Sequence, residues 1–303
     1  MDLTLGPIQF FWEAARVRAF YEAIAECPAI PRVVLGEVVC SKRLPFWQAE
    51  IPLAAERLIE AGKEVWLSSL ALVTLKRERK MTAELFETGL KVEIADLTAL
   101  AHLPEGAEFA VGPLVNVYNI GTLEWLAERG ARRICLPPEL PPDAVARLAE
   151  AGAALGVAVE IWGFGRLPLA ISGRCYHARL HGRSKDNCQF VCDQDPDGRK
   201  VDTLDGQEFL AVNGVQTLSA ATAFAGWDIE PLRKAGVSAL RLSPQSGDMA
   251  ALAAEFARMI AGEADGKTLE ATARQIAPGG TLANGYLWGG AGAEWRRPEQ
   301  GRA

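Results

Sequence analysis

The chain has no apolar run long enough to cross a bilayer. Spanning the hydrocarbon core takes roughly 18–20 apolar residues. The longest candidate, Leu67–Leu75, is short and interrupted by Ser68, Ser69 and Thr74. The start, Met1-Asp2-Leu3, lacks the basic stretch of a secretory signal, so a cytoplasmic location is expected. Positive charge is scarce: 32 Lys and Arg against 38 Asp and Glu leave a net charge of −6, the wrong sign for a general nucleic-acid binder. Histidine is scarcer still, with His102, His177 and His181 the full complement. There is no HExxH motif and no recognisable Ser–His–Asp arrangement. No GxGxxG or GxxxxGK[ST] follows the first strand, which weighs against an open, doubly wound nucleotide-binding sheet. No repeat of 20–50 residues is visible.

What is present is a chain of 303 residues, 49% hydrophobic and 23% charged. That suffices for the core of one large domain or two small ones, and argues against disorder. Short apolar runs alternate with helical periodicity. Strands are expected at Leu3–Gly6, Arg32–Gly36, Glu64–Ser68, Val92–Ala95, Phe109–Val111 (or Leu114–Val117), Arg133–Leu136, Val157–Trp162 and Ala239–Ser243. Helices are expected at Trp12–Cys27, Phe46–Ala61, Leu75–Glu87, Thr122–Arg129, Asp143–Ala154 with Asp143 as a cap, Asp228–Ala235 and Asp248–Ala261. Eight strands with intervening helices point to an α/β fold, an eight-stranded (β/α) TIM-like barrel. Residues 163–219 break the rhythm as a polar insertion after the seventh strand, with β-like pieces near Arg199–Thr203 and Glu208–Val212. Residues 1–262 then form the barrel domain with its insertion, and residues 263–303 a Gly-rich, weakly periodic tail.

Six cysteines are unusual for a cytoplasmic chain, where structural disulfides are rare. Cys175, Cys188 and Cys192 form C-x12-C-x3-C inside the insertion. Cys40 lies just past the second strand. The C-terminal ends of all barrel strands open onto one face, so these four thiols are placed to converge there. Four thiolates suit zinc or an iron–sulfur cluster. Spacing alone leaves both open, along with incidental cysteines in a surface insertion. A lone cysteine from a distant loop is more typical of a cluster, and Arg174, Arg179, Arg183 and Lys185 are at hand to offset its charge. His177 and His181 flank the cysteines as alternative ligands or solvated loop residues. Cys27 and Cys135 read as small hydrophobes of the core. Trp12, Trp47, Trp125 and Trp162 read as packing or interface anchors.

Nine short stretches carry a resemblance over nearly the whole chain. They are LGP at Leu5–Pro7, LGEVVCSKR at Leu35–Arg43, LSSLALV at Leu67–Val73, NVYN at Asn116–Asn119, LPPEL at Leu136–Leu140, GRLPLAISGRC at Gly165–Cys175, NGVQTLS at Asn213–Ser219, RLSPQ at Arg241–Gln245 and NGY at Asn284–Tyr286. With the cysteine spacing, they resemble the collagenase-like family of unassigned peptidases, in the branch that serves oxygen-independent ubiquinone biosynthesis. The resemblance implies a [4Fe–4S] cluster on Cys40, Cys175, Cys188 and Cys192. It implies a heterodimer with the sister protein UbiU, a lipid-carrier partner UbiT, and hydroxylation of a ubiquinone precursor, with prephenate a candidate oxygen donor. Peptidase-like relatives carry HGALC…SGRC. Here Phe164 stands at the histidine and Pro168 at the first cysteine, so Cys40 is expected to supply the lost ligand and a peptidase role is disfavoured.

Residues near strand C-termini of a barrel often meet substrate. These are Glu37 and Lys42 beside Cys40, Asn116, Tyr118 and Asn119 after the fifth strand, Glu139 after the sixth, and Arg241 and Gln245 around the eighth. An anionic donor would need an arginine, and Arg241 or Arg174 is the candidate for a bidentate pair; the alternative for Arg241 is a structural carboxylate pair. If the cluster is absent, a non-catalytic binding subunit ordered by zinc is the competing reading.

Overall fold

The computed structural model describes residues 1–227 and 229–297. Eight parallel strands close into a barrel: β1 (Asp2–Leu5), β2 (Arg32–Leu35), β3 (Glu64–Ser68), β4 (Lys91–Ile94), β5 (Phe109–Val111), β6 (Ala131–Cys135), β7 (Ala158–Ile171) and β11 (Ala239–Leu242). Between the last two, the chain inserts β8 (Arg199–Asp202), β9 (Glu208–Asn213) and β10 (Gln216–Phe224). β11 pairs with both β7 and β1 and so completes the ring. The intervening helices are α1 (Ala14–Ala25), α2 (Leu44–Trp47), α3 (Glu50–Glu60), α4 (Lys76–Leu85), α5 (Ile120–Glu128) and α6 (Pro142–Ala154). They are followed by α7 (Tyr176–Leu180), α8 (Glu230–Lys234), α9 (Met249–Ala261) and α10 (Gly266–Ile276).

The strand alternation explains the packing. Leu3, Leu5, Val33, Leu35, Val65, Leu67, Val92, Ile94, Ile134, Val159, Ile161, Leu240 and Leu242 belong to one buried cluster with the helices' apolar faces. Each such side chain is worth about 1.5–3 kcal/mol when fully buried. The alternate residues point into the barrel, and there the sequence places charge. Arg241, 1% exposed, donates from Nε to Glu160 Oε2 at 3.0 Å and pairs through both terminal nitrogens with Glu93. Glu160 Oε1 accepts from Thr4 at 2.7 Å and Arg133 at 2.9 Å. Arg32 bridges Thr4 and Glu64.

Burial opposes charge on Glu160, but Arg241, Arg133 and Thr4 overcome it and hold the carboxyl down at about 2, against an ordinary value of 4.5. A depressed carboxylate stabilises the fold above the unfolded-state value and loses that contribution as pH falls through 4.5 toward 2. The difference corresponds to about 3 kcal/mol. Urea unfolding from pH 6 downward is expected to show stability falling more steeply in the wild-type chain than in Glu160→Gln. Equal slopes would remove Glu160 from the acid response.

β7 is one continuous strand that starts in the barrel and ends in the insertion. Its first half pairs in parallel with β6 and β11, its second half antiparallel with β10. Gly165 makes the crossing possible: at φ +125 a Cβ would stand 2.5 Å from Ser243 Cβ. The seventh strand therefore runs to Ile171 rather than ending at Trp162. Phe164, at the position where peptidase-like relatives carry histidine, is fully buried.

Other boundaries also move. The helix expected at Phe46–Ala61 is two, α2 and α3, with Gln48 and Ala49 between them. Asp143 lies in the first turn of α6, whose cap is Pro141. Leu114–Val117 is not a strand, since Pro113–Val115 is a 3-10 turn. The helix expected at Asp228–Ala235 is observed as α8; Asp228 lies outside the described residues, as does the end of the tail from residue 298. The segment after Gly262 is not featureless: α10 buries Leu269 and Ala273 in the core, and β12 (Leu282–Ala283) pairs with β10.

Candidate functional site

The cysteines reach the barrel mouth from two chain regions. β2 ends at Leu35, and Glu37 folds the next residues into a turn by accepting the N–H groups of Val39 at 2.7 Å and Cys40 at 2.8 Å. Cys175 caps the short helix α7, its sulfur accepting the Ala178 N–H at 3.4 Å. Cys188 and Cys192 follow in a loop whose Gln189 and Phe190 both take positive φ, 48 and 56. That backbone is unfavourable for bulky residues. The Phe190 ring compensates by packing on Phe46 and Phe11, with centroids 4.7 and 5.8 Å away. Cys40, Cys175, Cys188 and Cys192 all line one small cavity, with Lys42, Arg43 and Lys185.

Arg43 organises this cavity. It is 1% exposed. Nη1 donates to Gln9 O and Nη2 to Asn213 Oδ1, both at 2.8 Å. Nε is buried with no oxygen or nitrogen acceptor, while Cys192 and Cys40 lie within the guanidinium's electrostatic reach. Burial pushes the Cys40 and Cys192 thiols up, and Arg43 opposes the shift at both. Lys42 donates to Lys185 O at 2.7 Å, tying the Cys40 turn to the Cys188 loop. The counter-charge inside the cavity thus comes from Arg43, Lys42 and Lys185. Arg174, Arg179 and Arg183, proposed from sequence, are not among the lining residues.

The β9–β10 turn must approach Arg43 closely. Gly214 sits at φ +60, and a Cβ there would be 2.8 Å from Arg43 Nη2. Gly214→Ala is expected to lower stability by about 1–3 kcal/mol in urea unfolding. Gly206→Ala is the control: φ is +81 but no atom lies within 4 Å of the added carbon. Equal losses in the two variants would show that the approach to Arg43 carries no cost.

Among the described residues, one group of three His, Cys, Asp or Glu side chains has ligand atoms within 4.8 Å of one another: His177, His181 and Asp195. The four sulfurs do not draw that close. Cys27 and Cys135 are buried elsewhere, Cys135 inside the barrel, where burial pushes its thiol up.

The remaining sequence candidates separate. Glu37 is buried in the Cys40 turn, where burial raises its carboxyl against the pull of Arg43 and the two N–H groups. Arg241 directs four N–H contacts at Glu93 and Glu160, the structural carboxylate pairing, and Arg174 is exposed. Asn119 caps α5 by accepting the Thr122 N–H at 2.8 Å. Asn116 is exposed and ends a 3-10 turn in the left-handed region, φ 62. Gln245 is buried, its Nε2 donating to Pro244 O. Tyr118 and Glu139 do come together through a hydrogen bond; burial first and then Glu139 push the Tyr118 hydroxyl up to about 12. Sequence reasoning missed Arg43, Phe190, Asn213 and the barrel carboxylates Glu93 and Glu160. The signal for the carboxylates was there, in acidic residues at inward positions of KVEI and AVEIW.

A (β/α) barrel with a cysteine-lined cavity at its C-terminal mouth is the class of protein defined by these features. The model of Peptidase family U32 matches residues 12–297, and the chain belongs to that family. The backbone is also similar to a putative fructose-1,6-biphosphate aldolase from Coccidioides immitis, at TM-score 0.39 and 11% identity over 91% of this chain and 89% of that chain. Among the described residues no helix is long and apolar enough to cross a membrane.

Proposed function

We propose that Cys40, Cys175, Cys188 and Cys192 hold a [4Fe–4S] cluster, and that the chain is a UbiV-type subunit of an oxygen-independent hydroxylase in ubiquinone biosynthesis. The observation that carries this is the shared cavity: four thiols from two distant regions around one buried guanidinium. A tetrahedral zinc site with Zn–S bonds of about 2.3 Å needs sulfurs roughly 3.8 Å apart. No three of the four sulfurs lie within 4.8 Å of one another, which leaves room for a larger polynuclear group. Arg43, with its unpartnered Nε, offsets the negative charge of a thiolate-ligated cluster.

Four cysteine ligands leave no open iron position, so the group, when bound, supplies electron transfer rather than substrate ligation. The chain's own residues do the rest. Phe190 packs on Phe11 and Phe46 and braces the loop that carries Cys188 and Cys192, and Lys42 ties the two cysteine regions together through Lys185 O. The partners under this reading are UbiU as the second subunit, UbiT as lipid carrier and a ubiquinone precursor as substrate. Prephenate as oxygen donor would meet Arg174 rather than Arg241. A peptidase reading lacks support, since Phe164 replaces the relatives' histidine and is buried in the core.

Anaerobic purification followed by iron and sulfide counting tests the cluster, with about four of each per chain expected. One zinc per chain on the thiols and no sulfide would replace it with the zinc-ordered binding subunit. Anaerobic co-expression with UbiU, assayed for hydroxylated ubiquinone precursors, tests the pathway. A dependence on this chain and its four cysteines is expected, and product formation without them would overturn the role.

A further inference from the structure

We propose that His177, His181 and Asp195 form a second metal site, for one borderline divalent cation of the zinc class, adjoining the four thiols, whose cavity His177 also lines, but using none of them as ligands. Their ligand atoms lie within 4.8 Å of one another. His177 is fully buried, and its Nε2 stands 2.9 Å from Asp195 Oδ2. That is a hydrogen-bond distance; around a tetrahedral ion with bonds of about 2.0–2.2 Å the two atoms would stand about 3.3–3.6 Å apart, so binding would exchange the shared proton for the ion and open the pair by a few tenths of an ångström. The two imidazoles are parallel, 6° apart with centroids at 5.6 Å, because His181 follows His177 by one helical turn at the end of α7.

The second observation is unmet hydrogen-bonding capacity. His177 Nδ1 and His181 Nε2 are both buried without a partner. A buried polar atom left unpaired costs about 1–3 kcal/mol; His181 Nε2 is the one an ion beside His177 Nε2 and Asp195 Oδ2 would take, while His177 Nδ1 faces away from that carboxylate. Two imidazoles and a carboxylate are a ligand set for zinc, with the fourth position open to water. Arg199 approaches only the other carboxylate oxygen, Asp195 Oδ1, at 3.7 Å; Oδ2 holds the His177 Nε2 hydrogen bond, whose proton the ion would replace.

Such an ion would do mechanical work. His177 lies two residues after Cys175, and Asp195 three after Cys192. The metal would clamp α7 to the turn beyond the Cys192 segment and hold both cysteines at their separation. The site does not depend on the cluster reading: its ligands are nitrogen and oxygen atoms, and it would stand if the thiols bound something else.

The test uses full-length protein purified anaerobically, dialysed against zinc chloride and freed of loose ion. Zinc per chain is measured beside iron, and the zinc K-edge absorption fine structure is recorded. About one retained zinc is expected, with a nitrogen and oxygen shell near 2.0–2.1 Å and no sulfur shell near 2.3 Å. Losing an outer-sphere partner alone weakens metal affinity ten- to hundredfold, so His181→Ala and Asp195→Asn, each losing a direct ligand, should weaken retention by about a hundredfold or more. His181→Gln guards against a folding defect in the alanine variant. A sulfur shell with no nitrogen and oxygen shell beside it, unchanged zinc retention in all three variants, or no zinc retained by the wild-type protein would each overturn the site.

Discussion

Cys40→Ala is expected to purify anaerobically with most of its iron and sulfide gone and the broad visible absorbance of the cluster lost. Cys175→Ala, Cys188→Ala and Cys192→Ala should behave alike, whereas Cys27→Ala and Cys135→Ala should keep full iron. Cys40 is the informative member because it comes from the β2–α2 turn and not from the insertion. Its backbone is fixed by Glu37, and its neighbours Lys42 and Arg43 reach across to Lys185 and Asn213. None of these ties involves the sulfur. The alanine chain should therefore fold with the cavity assembled and one ligand missing, and far-UV circular dichroism should match the wild type. Metal binding is linked to folding, so the variant should also unfold at lower urea. Full iron in Cys40→Ala would separate Cys40 from the other three thiols and end the cluster assignment.

Arg241→Met is the variant expected to cost the most stability. It removes the cation that Glu93 and Glu160 share inside the barrel, and leaves Glu160 only Arg133 and the more distant Arg32. Breaking a buried pair by deleting one partner costs about 3–5 kcal/mol. For a chain of this size that corresponds to a fall in Tm on the order of 10 °C. The triple variant Arg241→Met, Glu93→Gln, Glu160→Gln should recover part of the loss, because an apolar or neutral replacement of a whole charged group is much less costly than half of one. Thermal unfolding of wild type, single and triple variants checks the order. A single variant as stable as wild type would mean that the two carboxylates protonate or hydrate freely, against their burial.

The barrel was legible because its signals are local. Short apolar runs such as RVVL, EVWLS and ALRL mark strands from their own residues, and the C-terminal face then follows from the fold rule, which places Cys40 and the insertion at one mouth. Arg43 was not legible as the cavity's counter-charge, since its acceptors Gln9 and Asn213 are far away in sequence. Nearby arginines in the cysteine motif were the natural guess, and they point elsewhere. The extent of β7 was hidden by Gly163 and Gly165, which look like a turn but allow one strand to pass close over β11. The tail's glycines likewise masked α10, whose amphipathic face becomes visible only once α9 is there to cover it. Arg241 shows a further limit: a lone arginine at a strand end reads equally as substrate ligand or structural cation, and only its neighbours on β4 and β7 decide what it contacts.

The position of β11 has a consequence for the order in which the fold can be made. Translation delivers β1 through β7 and the whole cysteine insertion before Ala239–Leu242 leaves the ribosome. Until then β1 and β7 each present an open edge, and Glu93 and Glu160 stand without Arg241. The last stave thus brings the missing hydrogen bonds and the missing cation together. A nascent chain stopped before residue 239 is an unclosed ring of seven barrel strands with a carboxylate-lined interior. Ring closure is an event of the chain's final fifth, and it follows the emergence of all the thiols.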